Sequence, residues 1–187
     1  MSVGKRGSAR TGCGVFLRKG SRNSLHIMKN NTALKLVGAI LLCEAAGFFG
    51  TLFTMPAIES GWYATLEKSA LTPPDFVFGP VWTALYALMG VALFLVWRGE
   101  ALYRLKRRAA HLFFIQLALN VLWSFLFFGL QSPLAALADI AVLWLMIIST
   151  IIAFAKCSRA AAWLFLPYLL WVSFAAYLNY TIVILNL

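Results

Sequence analysis

The stretch Leu134–Ala155, LAALADIAVLWLMIISTIIAFA, decides the fold class, because Asp139 is the one charged residue in a predominantly apolar run. A helix rises ~1.5 Å per residue, so this run crosses the ~30 Å hydrocarbon layer of a bilayer. It lacks the period-two alternation of a membrane β-strand. Together with four similar runs it predicts an all-α integral membrane protein with a bundle of five transmembrane helices: Leu36–Pro56, Gly79–Trp97, Ala109–Leu130, Leu134–Ala155 and Ala160–Leu187.

The composition of the whole chain leads to the same class. Of its 187 residues, 62% are apolar and 12% are charged, about half the charged share of a soluble domain. These values exclude an ordinary soluble domain and a disordered chain. Three cysteines, without CxxC spacing, indicate neither a disulfide framework nor a zinc site. We therefore expect the lipid bilayer to be the main partner of the chain.

The net charge of +10 is arranged in blocks between the apolar runs. Residues 1–35 carry eight Lys or Arg and no acid, and residues 98–108 and 156–159 are also basic, whereas residues 57–78 are acidic. Such blocks are typical of membrane topology signals, and no basic soluble domain remains that could bind nucleic acid. The positive-inside rule places the N-terminus and both basic connections in the cytoplasm.

Residues 1–32 differ from the rest of the chain, since they are basic, rich in Gly and Ser, and without an apolar core. We predict a disordered N-terminal tail over 1–32 and a transmembrane domain over 33–187. Two alternatives stay open for the tail. It resembles a mitochondrial transit peptide in composition, and Met28 is a plausible start of a bacterial membrane protein.

The connection over residues 57–78 is long for a compact bundle and is therefore a functional candidate. We expect it to cover one end of the bundle as a lid. Within it, residues 60–68 favour a short helix with Ser60 as its N-cap. The Gln131-Ser132-Pro133 turn makes the third and fourth helices antiparallel neighbours.

Polar side chains at membrane depth are costly and are functional candidates by default. Such residues are Glu44, Gln116, Asn120, Ser124, Asp139 and Asn179. Two interpretations stay open for them: they form hydrogen bonds between helices, or they bind a ligand. The chain has no catalytic Ser/His/Asp set, no HExxH motif and no phosphate-binding loop. No metal site is predicted.

The tryptophans within the helices indicate where a ligand would lie. On rough helix ends, Trp82, Trp123 and Trp171 fall in the half of the bundle nearest the 57–78 connection. Asn120 and Asp139 fall in the same half. Flat aromatic surfaces with a few polar groups are what a flat hydrophobic ligand needs.

The same residues carry a resemblance to the translocator protein family, which includes bacterial tryptophan-rich sensory proteins and mitochondrial peripheral-type benzodiazepine receptors. Five separated segments agree in order and spacing over roughly residues 44–187. The matching motifs are Trp62-Tyr63-x-x-Leu66-x-Lys68, Pro73-Pro74, Phe78-Gly79-Pro80-Val81-Trp82-x-x-Leu85-Tyr86-x-x-Met89-Gly90, Gln116-Leu117-x-Leu119-Asn120-x-x-Trp123-Ser124, Ala138-Asp139-Ile140, and Pro167-Tyr168-Leu169-x-Trp171-Val172-x-Phe174-Ala175 with Leu178-Asn179.

The resemblance implies a bundle, often a homodimer, that binds protoporphyrin IX or another tetrapyrrole, including haem-like molecules, as a non-covalent ligand. It also implies a bacterial cell membrane, or the mitochondrial outer membrane in a eukaryote. The implied roles are tetrapyrrole transport or stress sensing, with light-dependent oxidative porphyrin degradation as the alternative. The depth of Asp139 adds it to the positions that the resemblance implies as ligand-binding: Tyr63, Trp82, Asn120, Trp123, Asp139, Ile140, Trp171 and Ala175. Trp82 and Trp171 match the residues tied to degradation.

The sequence departs from the family pattern at two places. Ser69 and Leu71 replace the usual proline and aromatic residue of the connection, which predicts a less rigid lid. No basic residue follows Tyr180, so the sterol-recognition motif of the animal proteins is incomplete. A third function, proton- or ion-coupled transport through Glu44 and Asp139, is disfavoured because no internal repeat or broken helix pair is evident.

Overall fold

The structure, a computed structural model, describes Met1 and residues 20–187, with side chains from Thr32 onward. Over these residues the secondary structure is helical and contains no strand. The helices are α1 Gly20–Glu59, α2 Trp62–Thr65, α3 Asp75–Arg98, α4 Tyr103–Ser124, α5 Pro133–Ala155, α6 Arg159–Leu164 and α7 Leu166–Leu185, and a π-helical segment, Phe125–Gly129, continues α4.

Five helical stretches are long and apolar enough to cross a membrane, which confirms the predicted fold class. They are Thr32–Glu59, Asp75–Arg98, Tyr103–Gly129, Pro133–Ala155 and Arg159–Leu185. Most predicted bounds agree to within a few residues. The third span begins earlier than Ala109, because the basic segment from Tyr103 is helical as well. The fifth span is interrupted at Phe165, just before Pro167, which lacks the backbone N–H that would continue the helix.

The chain divides into two compact units, Met1–Leu34 and Lys35–Leu187. In the first unit the backbone is helical from Gly20 onward. Residues 2–19, and the side chains as far as Asn31, lie outside the described residues. The disordered tail predicted for residues 1–32 therefore stays a prediction.

The helices of the second unit alternate in direction, so its connections gather at two ends. The connections 99–102 and 156–158 lie at one end, called here the basic end. The connections 60–74 and 130–132, with the C-terminus, lie at the other, called here the lid end. At the basic end the Lys106 ammonium donates hydrogen bonds to the carbonyl oxygens of Trp97 (3.0 Å) and Gly99 (2.5 Å), which satisfies the last carbonyls of α3.

Helices α1 and α3 pack at small residues. A Cβ atom on Gly90 would lie 2.5 Å from the Cα atom of Ile40 and 2.9 Å from the carbonyl oxygen of Ala39. Gly47 similarly leaves room for the ring of Tyr86. Small residues at such contacts let helix backbones approach closely, which is how helices associate in lipid. The contact holds α1 against the bundle although most of its residues are exposed.

We predict that Gly90→Ala destabilises the folded protein by about 1–3 kcal/mol, the range typical of overpacking. The clash is with backbone atoms of α1, which cannot rotate away. The matched control is Gly38→Ala on α1, where an added Cβ meets nothing within 4 Å. Thermal unfolding in detergent measures both variants, and equal midpoints for the two would contradict the proposed backbone contact.

Candidate functional site

The connection between α1 and α3, residues 60–74, packs over the lid end of the bundle. Its α2 rings lie against the π-helical segment, with the Trp62 ring 5.8 Å from that of Phe127 and the Tyr63 ring 5.7 Å from that of Phe128. The residue Leu66 packs on the same small cluster, which includes Ile182 near the end of α7. The contacts give the connection an apolar underside facing the helix ends.

The predicted N-cap of the short helix is wrong. Gly61, not Ser60, precedes α2, and its φ of 79° is a left-handed conformation that glycine adopts without strain. The Ser60 hydroxyl instead donates to the carbonyl oxygen of Ala57 in the last turn of α1. The helix is also shorter than predicted, since it covers only Trp62–Thr65.

Asn186 fastens the connection to the end of α7. Its side-chain oxygen accepts a hydrogen bond from the Glu67 backbone N–H (3.0 Å), and its side-chain nitrogen donates to the Glu67 carbonyl oxygen (2.9 Å). The same nitrogen lies 2.8 Å from the Ile182 carbonyl oxygen. One amide group thereby pairs both backbone groups of Glu67, as a neighbouring strand would.

Tyr63 sits under a cation within this connection. The Lys68 ammonium lies 4.0 Å from the centroid of its ring, a cation–π contact. Burial, and secondarily the charge of Asp75, raise the pKa of the Tyr63 hydroxyl above its usual value near 10. The hydroxyl therefore keeps its proton at neutral pH and can donate a hydrogen bond.

A polar bridge joins three helices below the connection. Asn120 on α4 accepts a hydrogen bond from the hydroxyl of Tyr86 on α3 and donates one to the hydroxyl of Tyr168 on α7 (3.1 Å). All three side chains are buried. Both ends of the Asn120 amide are thus occupied by protein partners. The interhelical interpretation of Asn120 is confirmed, while its contact with a ligand stays a prediction.

Aromatic rings line the contact between α3 and α7 on the same side. Trp82 stacks on Tyr86 with ring centroids 5.6 Å apart and lies edge-on to Tyr168 at 6.3 Å. One turn nearer the connection, Phe78 lies 5.9 Å from Trp171. Both tryptophans are half-buried, so part of each ring remains available for contact.

Hydrogen bonds between α5 and α7 bracket Asp139 and Ala175. The Asn179 side chain donates to the Pro133 carbonyl oxygen (2.9 Å), and the Trp144 indole donates to the Ser173 hydroxyl (2.9 Å). Asp139 lies between these contacts along α5, and Ala175 lies between them along α7. Because the two helices run antiparallel, the two residues face the same stretch of the interface.

Four buried polar atoms have no hydrogen-bond partner among the described residues: the Oγ1 atom of Thr72, the Oε1 atom of Gln116, the Oδ2 atom of Asp139 and the indole nitrogen of Trp171. The last two lie on the adjoining helices α5 and α7. Buried polar groups are ordinarily paired, because an unmade hydrogen bond costs about 1–3 kcal/mol. An acceptor and a donor left unpaired on adjoining helices are the groups that a polar ligand could satisfy.

The structure brings most of the predicted site residues onto one core. Trp82, Trp123, Ile140, Trp171 and Ala175 belong to or pack against the main hydrophobic cluster. Tyr63 belongs instead to the smaller cluster under the connection, and Trp123 contacts both clusters. The Trp123 indole N–H donates to the Asn179 side chain (3.1 Å), so that donor is not available to a ligand.

Several residues of this region were not singled out for these roles from the sequence. Phe127 stacks on Trp123 at 5.0 Å and is nearly fully buried within the π-helical segment. Such segments are often found at functional sites, but no residue pattern in an apolar span marks one. Asn186 could have been noticed as a polar residue next to the last apolar run.

The site presents groups suited to binding a ligand. Within the described part of the chain, no group of three or more His, Cys, Asp or Glu side chains is placed to hold a metal ion. The available chemistry is aromatic contact, one carboxyl oxygen, one indole N–H and the Tyr63 hydroxyl. Such a set can recognise a flat, mainly apolar molecule that carries a few polar atoms.

Comparison with known proteins supports one family. Residues 39–185 match the sequence model described as the TspO/MBR family. The chain is 48% identical to "Tryptophan-rich protein TspO" of Chlorobaculum tepidum over 84% of this chain and 99% of that protein. It is likewise 48% identical to the protein of the same name of Archaeoglobus fulgidus, over 82% of this chain and 97% of that protein. The "Translocator protein" of Bos taurus is 37% identical over 77% of this chain and 85% of that protein.

We predict that Asn186→Ala loosens the 60–74 connection. Two hydrogen bonds to Glu67 are lost, each worth about 1 kcal/mol, so the free energy of local opening should fall by about 2 kcal/mol. Amide hydrogen exchange of residues 60–74 should then be about thirtyfold faster. Leu187→Ala, at the exposed C-terminal residue, is the control. Equal exchange in both variants would show that Asn186 does not fasten the connection.

Proposed function

Because the chain belongs to the TspO/MBR family, we propose that this multi-pass integral membrane protein is a receptor or carrier for tetrapyrroles. Protoporphyrin IX, haem-like molecules and related flat hydrophobic ligands are its proposed ligand class. The family names of its relatives place it with membrane sensory and translocator proteins. The proposed use of binding is tetrapyrrole transport or stress sensing.

The observation that carries the proposal is the pair of unpartnered polar atoms beside an aromatic wall. Asp139 offers an acceptor and Trp171 a donor, and both atoms are buried. The Trp171 ring lies beside the ring of Phe78. A tetrapyrrole supplies the complementary features, namely a flat apolar macrocycle, ring nitrogens and carboxylate substituents. The residues proposed to contact it are Tyr63, Trp82, Asn120, Trp123, Asp139, Ile140, Trp171 and Ala175.

The connection over residues 60–74 is the proposed lid. It is packed on rings at its α2 end and held by Asn186 at Glu67, so it has few points of attachment. The contact of Phe78 with Trp171 lies 14 residues, ~21 Å of helix, before the end of α7. The part of α7 beyond Trp171 is thus flanked by the 60–74 connection. Movement of this connection would expose the proposed site.

The second candidate function is light-dependent oxidative degradation of a bound porphyrin, with dioxygen as the oxidant. The position of two half-buried tryptophans, Trp82 and Trp171, on the facing helices α3 and α7 favours it. Indole is more readily oxidised than the phenyl ring of phenylalanine.

We also propose that the protein is a homodimer. Its proposed location is a bacterial cell membrane, with the basic end in the cytoplasm.

Dark titration with protoporphyrin IX tests the proposed receptor. We predict that the detergent-purified chain binds it saturably, and that Asp139→Leu weakens binding about tenfold or more, the loss of one hydrogen bond to a carboxyl group. The variant should keep its thermal midpoint, since the deleted oxygen has no protein partner. Ser149→Ala, on the same helix, is the control because that hydroxyl bonds only to its own helix. An unchanged affinity of Asp139→Leu for protoporphyrin IX would show that Asp139 does not contact the ligand.

Substitution of the tryptophans separates the two candidate functions. Trp82→Phe and Trp171→Phe keep an aromatic ring, so dark binding should stay within tenfold, about 1.4 kcal/mol. If illumination yields a new pigment, both variants should lose most of that turnover, and the exposed Trp97→Phe control should lose none. Equal loss in the control would contradict a reactive role for the pair. If dark binding is lost in these two variants but not in the control, the two side chains form part of the binding surface and have no redox role.

A further inference from the structure

A groove opens between α5 and the start of the fifth span at the basic end, away from the candidate site. Its volume is about 270 Å³, slightly below the ~300–1,000 Å³ of typical small-molecule sites. The lining is apolar apart from one charged side chain at its end. The lining residues are Ile151, Ala155, Arg159, Ala162, Trp163 and Leu166.

The groove runs along the bundle, from the membrane boundary inward. Arg159, Ala162 and Trp163 have the i, i+3, i+4 spacing of one face of α6, and Leu166 is the first residue of α7. Arg159 therefore stands at the outer end and Leu166 at the inner end. Trp163, 70% exposed, forms one wall at the depth where tryptophans lie among lipid headgroups.

The outer end of the groove adjoins a cluster of unpaired cations. The two basic connections meet there, since a Cβ atom on Gly99 would lie 3.3 Å from the Cys157 carbonyl oxygen. Lys106 is engaged by backbone carbonyls. The other basic side chains of these connections have no hydrogen bond or ion pair with any residue that the structure describes: Arg98, Arg104, Arg107, Arg108, Lys156 and Arg159.

We propose that this groove is a binding site for one anionic phospholipid of the surrounding bilayer. The headgroup phosphate pairs with Arg159 and Lys156, and one acyl chain lies along Ala155, Ala162 and Leu166. The Trp163 indole, whose N–H has no described partner, faces the glycerol region. The guanidinium of Arg159 presents its donors in a planar fork that fits two phosphate oxygens.

Charge and shape favour a lipid over other occupants. A second copy of the chain docked on this face would place further cations of the same basic end near Arg159 and Lys156 without supplying an anion, which is unfavourable. Free phosphate would use the cations but leave the apolar lining unfilled. An anionic phospholipid satisfies both parts of the groove, and it is always present at the bilayer surface.

Native mass spectrometry of the full chain in detergent tests the proposal with phosphatidylglycerol and phosphatidylcholine of identical acyl chains. We expect phosphatidylglycerol to bind at least fivefold more tightly. Arg159→Gln should remove about fivefold of that preference, the factor for about 1 kcal/mol per basic residue at an anionic surface. Ala155→Phe, at an exposed position of the lining, should weaken the binding of both lipids by filling the groove.

The control variant is Arg104→Gln, which removes an exposed cation of the same end that does not line the groove. It should change the preference by less than twofold, and inorganic phosphate should not displace the lipid. Equal losses in Arg104→Gln and Arg159→Gln would reduce the effect to general surface charge and overturn the site. Displacement by phosphate, or a shift from dimer to monomer in Ala155→Phe without a change in lipid affinity, would also overturn it.

Discussion

The requirement that polar groups be paired inside a hydrocarbon layer governs this structure, and Asn120 shows how the bundle meets it. Its amide joins Tyr86 on α3 to Tyr168 on α7, so one residue of α4 holds three spans together. A backbone or side-chain group left unpaired at that depth finds no water molecule with which to form a hydrogen bond. The pairing therefore fixes which faces of these helices meet. Trp82 stacks on the ring of Tyr86, one of the bridged residues.

The same requirement gives the lid end its functional character, because there it is incompletely met. The Asn120 bridge itself is fully paired, and Asn179 extends the pairing to α5 through the Pro133 carbonyl oxygen. Asp139 and Trp171 interrupt the pattern. Natural proteins tolerate an unpaired buried group where something else completes it. The proposed ligand would complete both groups and cover the rings that adjoin them.

Hydropathy was sufficient to predict the five spans, because each must cross the same thickness of lipid. Leu134–Ala155 differs from the observed α5 by one residue. The third span was less accurate at its start, since charged residues from Arg104 onward continue the helix beyond the apolar run. The cap at Ser60 failed because Gly61 supplies the left-handed turn that the chain needs between α1 and α2. Capping choices depend on the direction in which the chain leaves a helix, and composition does not specify that direction.

The contacts of the candidate site could not be predicted from the sequence, and the set of ligand-binding residues stays a prediction. Depth along each helix predicted that Trp82, Trp171 and Asp139 share one half of the bundle; in the structure Trp82 and Trp171 pack against the same core cluster. Rotation of each helix about its axis decides which groups pair. Asn120 and Trp123 turned out to be occupied by protein partners, whereas Asp139 and Trp171 were left free. The π-helical turn at Phe127, which sets the angle of the rings beneath α2, leaves no mark in an apolar run.

The proposed tetrapyrrole would complete the hydrogen bonding of Asp139, whose Oδ2 atom has no partner among the described residues. Difference infrared spectroscopy of the chain with and without protoporphyrin IX, recorded in the dark, observes that carboxyl group directly. The Asp139→Asn variant assigns the Asp139 band, and Glu44→Gln assigns the band of the acid in the middle of α1. We expect binding to shift the Asp139 band and to leave the Glu44 band in place. Saturable binding with an unchanged Asp139 band would contradict this expectation.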